Sequence, residues 1–166
     1  MSAVVEHRTA LPAPPQQVLA ELLDPEFLRA WAVELGARLE AVEVQPEGTG
    51  SRTTVRLAVP TRGIPPVFAR FVGGEVTVVD STLWQDGGTA GATGALEVRA
   101  RILGRTALVL GRRALEPDGE GTRSTTDAEV TVKAPLVGRQ VEAAVAELVG
   151  VVLRQECELL TRRLSA

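Results

Sequence analysis

From residue 37 to residue 133 apolar side chains alternate with polar ones. The pattern is plainest in TTVRLAV, where Thr53, Val55, Leu57 and Val59 take one parity and Thr54, Arg56 and Ala58 the other. A period of two is that of a strand with one buried face. Six strands fit this stretch, near 37–46, 51–60, 74–85, 93–103, 105–116 and 121–133, and the clusters PEGTG, DGGTAG and EPDGEG separate most of them. Gly and Asp clusters of this kind make tight hairpins, so consecutive strands are expected to pair antiparallel. The segment TRGIPPVFARFVGG, 61–74, is too rich in Pro and Gly for a strand, and Val67, Phe68 and Phe71 predict one helical turn laid over the sheet.

On either side of this region the period becomes helical. AVVEHRTAL predicts a first strand, ended by Pro12, Pro14 and Pro15, which cannot sit inside a ladder but can open a helix. QQVLAELL then puts Val18, Leu19, Leu22 and Leu23 on one face; in DPEFLRAW, Asp24 is a natural N-cap with Pro25 at the first helical position, and the face is Phe27, Leu28 and Trp31. Near the end of the chain Val141, Val145, Leu148 and Val152 recur at helical spacing and the line resumes at Leu159, predicting a helix over 137–164. At 1.5 Å per residue such a helix is about 42 Å long, enough to cross a whole sheet. One strand, two short helices, six strands and a long last helix form an α+β pattern: a seven-stranded, strongly curved antiparallel sheet wrapped around the C-terminal helix.

Composition narrows the class. The 166 residues suit a single domain spanning 1–166, and 45% hydrophobic residues exclude a disordered chain. No apolar run approaches the ~20 residues of a membrane-spanning helix, and MSAVVEHRTALPAPP has no basic patch followed by an apolar stretch, so neither an integral segment nor a signal peptide is expected. A single cysteine, Cys157, makes no internal disulfide; a cytoplasmic address is the expectation. The net charge of -3 gives no general pull toward phosphate backbones, and the arginines of RRL, 162–164, complement the dipole at a helix end, so nucleic acid is not an expected partner.

The opening LPAPPQQVLAELLDPEFLRAW resembles the entry of START-like proteins, also called the polyketide cyclase or birch-pollen-allergen superfamily, which begin with a strand and two small helices. The ending VTVKAPLVGRQVEAAVAELVGVVLRQECELLTRRL is similar to their last strand and long helix. With IPPVFARFVGG and STLWQDG, essentially the whole chain looks like a bacterial branch of that superfamily. The resemblance implies the helix-grip fold and a cavity between sheet and helix. It implies no one activity, because lipid carriers, receptors, cyclases and partner-binding proteins share the scaffold.

Catalytic inventories are thin. A serine or cysteine triad needs a base beside its nucleophile, and the only histidine, His7, lies in the first strand, where a structural role is expected. Cys157 is expected to point away from the Val141 stripe, as a small residue near the helix edge. One His and one Cys do not make a zinc site, and GGTAGATG lacks both the Lys-Ser/Thr of a P-loop and the dinucleotide spacing, so no metal and no cofactor are expected and this stretch reads as a hairpin loop.

What remains is the turn missing from the last helix's apolar line. Gln155 and Glu156 interrupt it, and a buried carboxylate needs a partner, a wet cavity or a raised pKa. The candidate cavity walls are Val152, Gln155 and Glu156 on the helix, Asp80 and Trp84 at one parity of a strand, Ser124 and Thr126 at the parity of Val130 and Val132, and Phe68 and Phe71 on the covering segment. An apolar pocket with a few convergent polar groups is the make-up of a small-molecule site. The competing arrangement is a solid core in which Glu156 pairs with an arginine at the sheet's rim and Trp84 only packs. Three functions stay open: binding or transport of a hydrophobic small molecule or lipid, which the thin catalytic inventory favours; a cyclase-like or hydratase-like enzyme with Glu156 or Asp80 as general acid or base; and a partner-binding domain without a cavity.

Overall fold

The strands pair as consecutive hairpins, with one exception that sets the topology. In a computed structural model that describes residues 2–62, 65–134 and 136–166, apart from the Phe68 side chain, the strands are β1 (Ala3–Leu11), β2 (Arg38–Glu47), β3 (Gly50–Pro60), β4 (Glu75–Asp86), β5 (Ala92–Ile102), β6 (Arg105–Asp118) and β7 (Gly121–Val132). They form one sheet in the order β1-β7-β6-β5-β4-β3-β2, antiparallel throughout. The exception is the excursion through α1 (Pro15–Leu22) and α2 (Pro25–Glu34), which carries the chain from one edge strand to the other. This is the expected helix-grip architecture, with boundaries within a residue or two of those the periodicity predicts. A 3-10 turn at Gly88–Ala90, between β4 and β5, is an addition.

Local chemistry starts and stops these elements. Pro15 and Pro25 open their helices where no backbone donor is needed, and the Asp24 carboxylate caps α2 by accepting from the Glu26 N–H at 2.9 Å. The covering segment forms a single turn, α3 (Pro66–Ala69), as predicted. Each hairpin presents one parity inward: the even positions of β5 and β7 and the odd positions of β6 from Ala107 to Leu115 line one face of the sheet.

That face is closed by the last helix, α4 (Gly138–Leu164), which buries Val141, Val145 and Leu148 as its spacing predicts. The buried stripe is wider than expected. Ala144, Val151, Leu153, Leu159 and Leu160 are also buried, whereas Val152 is only partly so. Cys157 corrects the sequence reading: it is buried at 6% exposure rather than placed at the helix edge, because the sheet and α1 embrace the helix over more than its Val141 line. Burial first, then the neighbouring Glu156 charge, pushes its thiol up to about 12, so it is an inert packing group.

Two polar ties fix α4 in place. At its first turns the buried Glu142 carboxylate accepts the backbone N–H of Val132 at 3.0 Å, satisfying the end of β7; at its last turn Arg163 donates to Glu21 of α1 at 2.9 Å. The second tie is partly exposed and worth little. The first is not, because its loss strands a buried donor. Glu142→Ala should therefore lower stability by about 1–3 kcal/mol, and a chemical-denaturation series should show it without a change in slope.

Candidate functional site

The centre of the site is an arginine on the inward face of a strand. Cross-strand register lines up His7, Thr126, Arg113, Gly94 and Trp84 in one row across β1, β7, β6, β5 and β4. Gly94 makes the row possible. A Cβ there would come within 3.0 Å of the Trp84 ring atoms Cε3 and Cζ3, so the bare backbone lets the indole lie across β5 toward β6. The Arg113 guanidinium stacks on that ring, 5.1 Å from its centroid.

Glu156, from the middle of α4's second half, meets this guanidinium with both oxygens: Arg113 Nη2 donates to Oε1 in a short ion pair and Nη1 donates to Oε2 at 3.4 Å. Both side chains are almost wholly buried, at 7% and 6% exposure. Burial works against the arginine's charge, but the Glu156 carboxylate more than offsets it, so the Arg113 pKa lies above its ordinary value. The arginine's Nε–H has no partner among the described residues.

Beside this pair lies a cavity of about 50 Å³, lined mainly by apolar side chains of β3 to β6 and α4, among them Leu57, Val98, Ala100 and Leu148, with Trp31 of α2 closing one side. Three charged residues reach it: Asp80, Arg113 and Glu156. Asp80 is half-buried, and among the described residues it makes no hydrogen bond or ion pair. Desolvation lifts its pKa to about 7; Arg113 pulls the other way and Glu156 adds to the rise. The Trp31 indole N–H is a second buried donor without a partner among the described residues. Chemically, the cavity is a greasy compartment with one proton-exchanging carboxyl in its wall, and Trp31 and Arg113, whose buried donors are unsatisfied, are among its lining residues.

Of the residues proposed from the sequence, Asp80, Val152 and Glu156 line this cavity. Trp84, Ser124 and Thr126 are buried on the inward face but do not line it; Trp84 acts on it through Arg113. Gln155 turns into a neighbouring crevice with Glu34, Val59 and Arg62, where its Oε1 is unpartnered. Phe71 is half-buried beneath the Arg70 guanidinium, 4.7 Å away, outside the cavity, and the Phe68 side chain lies outside the described residues. His7 is half-buried in the central row, its pKa lowered by burial, in keeping with a structural strand residue. The sequence reading misses Arg113 and the part Trp31 plays. A signal for Arg113 exists, since it continues the inward parity of Ala107 and Val109.

The fold has many solved relatives. TTHA0849 from Thermus thermophilus is 21% identical with a TM-score of 0.66, the match covering 98% of this chain and 97% of that one. A START superfamily protein from Mycobacterium smegmatis is 14% identical with a TM-score of 0.55, over 98% and 97% of the two chains. Norcoclaurine synthase from Thalictrum flavum, in complex with dopamine and hydroxybenzaldehyde, is 15% identical with a TM-score of 0.52, over 98% and 86%. At these identities the likeness establishes a START-like fold and nothing finer. No curated protein matches the chain. A family model described as "Protein of unknown function (DUF2505)" matches residues 6–164, and the chain belongs to that family.

Proposed function

We propose that the protein binds a compact, largely apolar small molecule bearing one polar group, held in the cavity between the sheet and α4. The observation that carries this reading is that an otherwise apolar chamber is lined by the unpaired Asp80 carboxyl together with Trp31 and Arg113, each of which keeps a buried donor without a partner among the described residues. Buried polar groups are almost always hydrogen-bonded, so these side chains together mark where a ligand's polar end would sit. A carbonyl or hydroxyl oxygen suits the two donors, and protonated Asp80 can donate as well. The START-like neighbour crystallised with dopamine and hydroxybenzaldehyde supports small molecules as occupants of this fold.

Size favours a compact molecule over a lipid. Drug-sized ligands occupy about 300–1,000 Å³, and this cavity is about 50 Å³. An acyl chain would have to displace α3 or open α4 from the sheet. A second reading, an enzyme that moves a proton, is favoured by the Asp80 pKa of about 7, which suits a general acid or base at neutral pH.

Titration calorimetry with compact ketones and phenols, set against palmitate, tests the binding reading. Ala100→Val, which adds two methyl groups to a cavity wall, should hold or raise the melting temperature and abolish binding; palmitate binding that survives this change would defeat it. Turnover of a bound ketone or phenol that is lost in Asp80→Asn would establish the enzymatic reading instead.

The ion pair gives a separate expectation. Glu156→Leu strands a buried guanidinium and should cost about 3–5 kcal/mol, whereas Arg113→Met with Glu156→Leu should recover most of that loss. A double-mutant cycle by denaturant unfolding measures the difference.

Asp80 makes stability depend on pH. Its folded pKa of about 7 lies above the ordinary 3.8, so between these values the folded protein keeps a proton that the unfolded chain has released. Stability contributed by Asp80 is therefore fully present below about pH 4 and is lost as pH rises toward 7, at up to about 1.4 kcal/mol per pH unit. Melting curves should show Asp80→Asn equal to the parent at pH 4 and more stable than it above pH 7.

A further inference from the structure

At one end of the sheet three sets of described loop residues come together: 61–62 and 65–74 with α3, the β5–β6 turn at 103–104, and 133–134 with 136–137 ahead of α4. The register brings them there, with Pro60 opposite Glu75, Ile102 opposite Arg105 and Ala107 opposite Val132. Leu103 Cδ2 lies 3.7 Å from where a Gly73 side chain would begin, and α3 packs on α4.

Among the described residues four of the seven exposed large hydrophobics sit on these loops: Val67, Leu103, Leu136 and Val137. Leu136 is 100% exposed and Leu103 68%, and they are also the two described non-glycine residues with positive φ, +72° and +49°. With Gly104 at +77°, Leu103 occupies the first position of a two-residue turn whose twin positive φ values favour Asn-Gly. Folding alone gives no reason for leucine at either place. Leu136 is fully exposed, Leu103 is mostly so and only approaches Gly73, and neither backbone conformation suits a leucine.

Around them stand exposed cations. Arg62, Arg70, Arg101, Arg105 and Lys133 make no ion pair with described residues, while the nearby carboxylate of Glu75 is held by Arg38 at 3.3 Å. At the opposite end of the sheet Glu47 and Glu116 are held by Arg52 and Arg123, which leaves Asp86, Asp118 and Glu120 as exposed carboxylates without an ion pair among the described residues. A chain of net charge -3 thus carries its unpaired cations at one end of the strands and unpaired carboxylates at the other.

We propose that the end of the sheet carrying α3, Leu103 and Leu136 docks on an anionic lipid bilayer, the two leucines entering the interface and the cations lying over the headgroups. Apolar tips ringed by Lys and Arg suit that surface, where the two contributions add. Duplex nucleic acid would use the cations but leave the leucines without a partner. Val59, Val76 and Ile102, which line the cavity, are the lining strand residues nearest this end, so docking would set the cavity toward the membrane; the proposal does not depend on what the cavity binds.

Vesicle flotation tests it. The protein should float with phosphatidylcholine vesicles containing about 30% phosphatidylglycerol, not with pure phosphatidylcholine, and added salt should release it. Leu103→Asn with Leu136→Asn should weaken partitioning about tenfold while leaving the melting temperature unchanged or higher, since Asn tolerates positive φ. Arg105→Glu with Lys133→Glu should abolish flotation. Failure to float with the anionic vesicles, flotation undiminished in both variants, or tighter binding to duplex DNA than to vesicles would overturn the proposal.

Discussion

The Arg113–Glu156 ion pair is the constraint around which the centre of the molecule is arranged. Two charges buried to this degree lose several kcal/mol of hydration each, and their attraction repays this only with good geometry on both sides. The geometry is supplied from four elements. β6 turns Arg113 inward, β5 withdraws its side chain at Gly94, β4 lays Trp84 into the space so vacated, and α4 brings Glu156 down at one angular position. Apolar side chains alone would let α4 rotate or slide by a turn with modest loss, since Val, Leu and Ala face the sheet along most of its length. A carboxylate that must meet one guanidinium permits only one setting. With the buried Glu142–Val132 tie near its other end, the pair holds α4 at one setting on the sheet.

Much of this is legible in the sequence because parity and helical spacing are local. The strands, the turn clusters, the long helix and even the defect in its apolar line come from periodicity within a dozen residues. The defect reads as a buried carboxylate in need of a partner, and the structure supplies one. The partner is harder to find, because it lies 43 positions away, and a lone inward arginine reads like an exposed one until the cross-strand register is known. Two further errors have the same origin. Counting from Val141 puts Cys157 at the helix edge, which assumes a narrow stripe, but a curved sheet covers more of a helix than one line. Trp84, Ser124 and Thr126 have the inward parity assigned to them, yet parity says which face a residue takes and not how far along the face a cavity lies.

Glu156 and Asp80 show how one arginine treats two carboxylates differently. Glu156 has both oxygens on the guanidinium and lines the cavity only with its flank. Asp80 feels the same positive charge without a hydrogen bond to it, and it also feels Glu156, so desolvation dominates and its pKa rises to about 7. At Asp80 the arginine still outweighs Glu156, but desolvation outweighs the arginine. In this way a structural interaction leaves a nearby carboxyl free to change its protonation state with what enters the cavity.

The same reasoning bears on why the cavity is not filled. Closing about 50 Å³ with a larger side chain at Ala100 or Val98 would add dispersion contacts and remove the chamber that Asp80, Trp31 and Arg113 line. Left as it is, the structure forgoes packing and leaves Trp31 Nε1–H and Arg113 Nε–H unsatisfied, each at a cost comparable to a lost hydrogen bond. Proteins stand only about 5–15 kcal/mol from unfolding, so three such concessions in one place are a substantial fraction of the total. A ligand whose polar atom reaches those donors would recover much of that loss on binding, and the part recovered becomes affinity. On the proposed reading, the loss carried by these unsatisfied donors and the choice of a compact, singly polar ligand have one source.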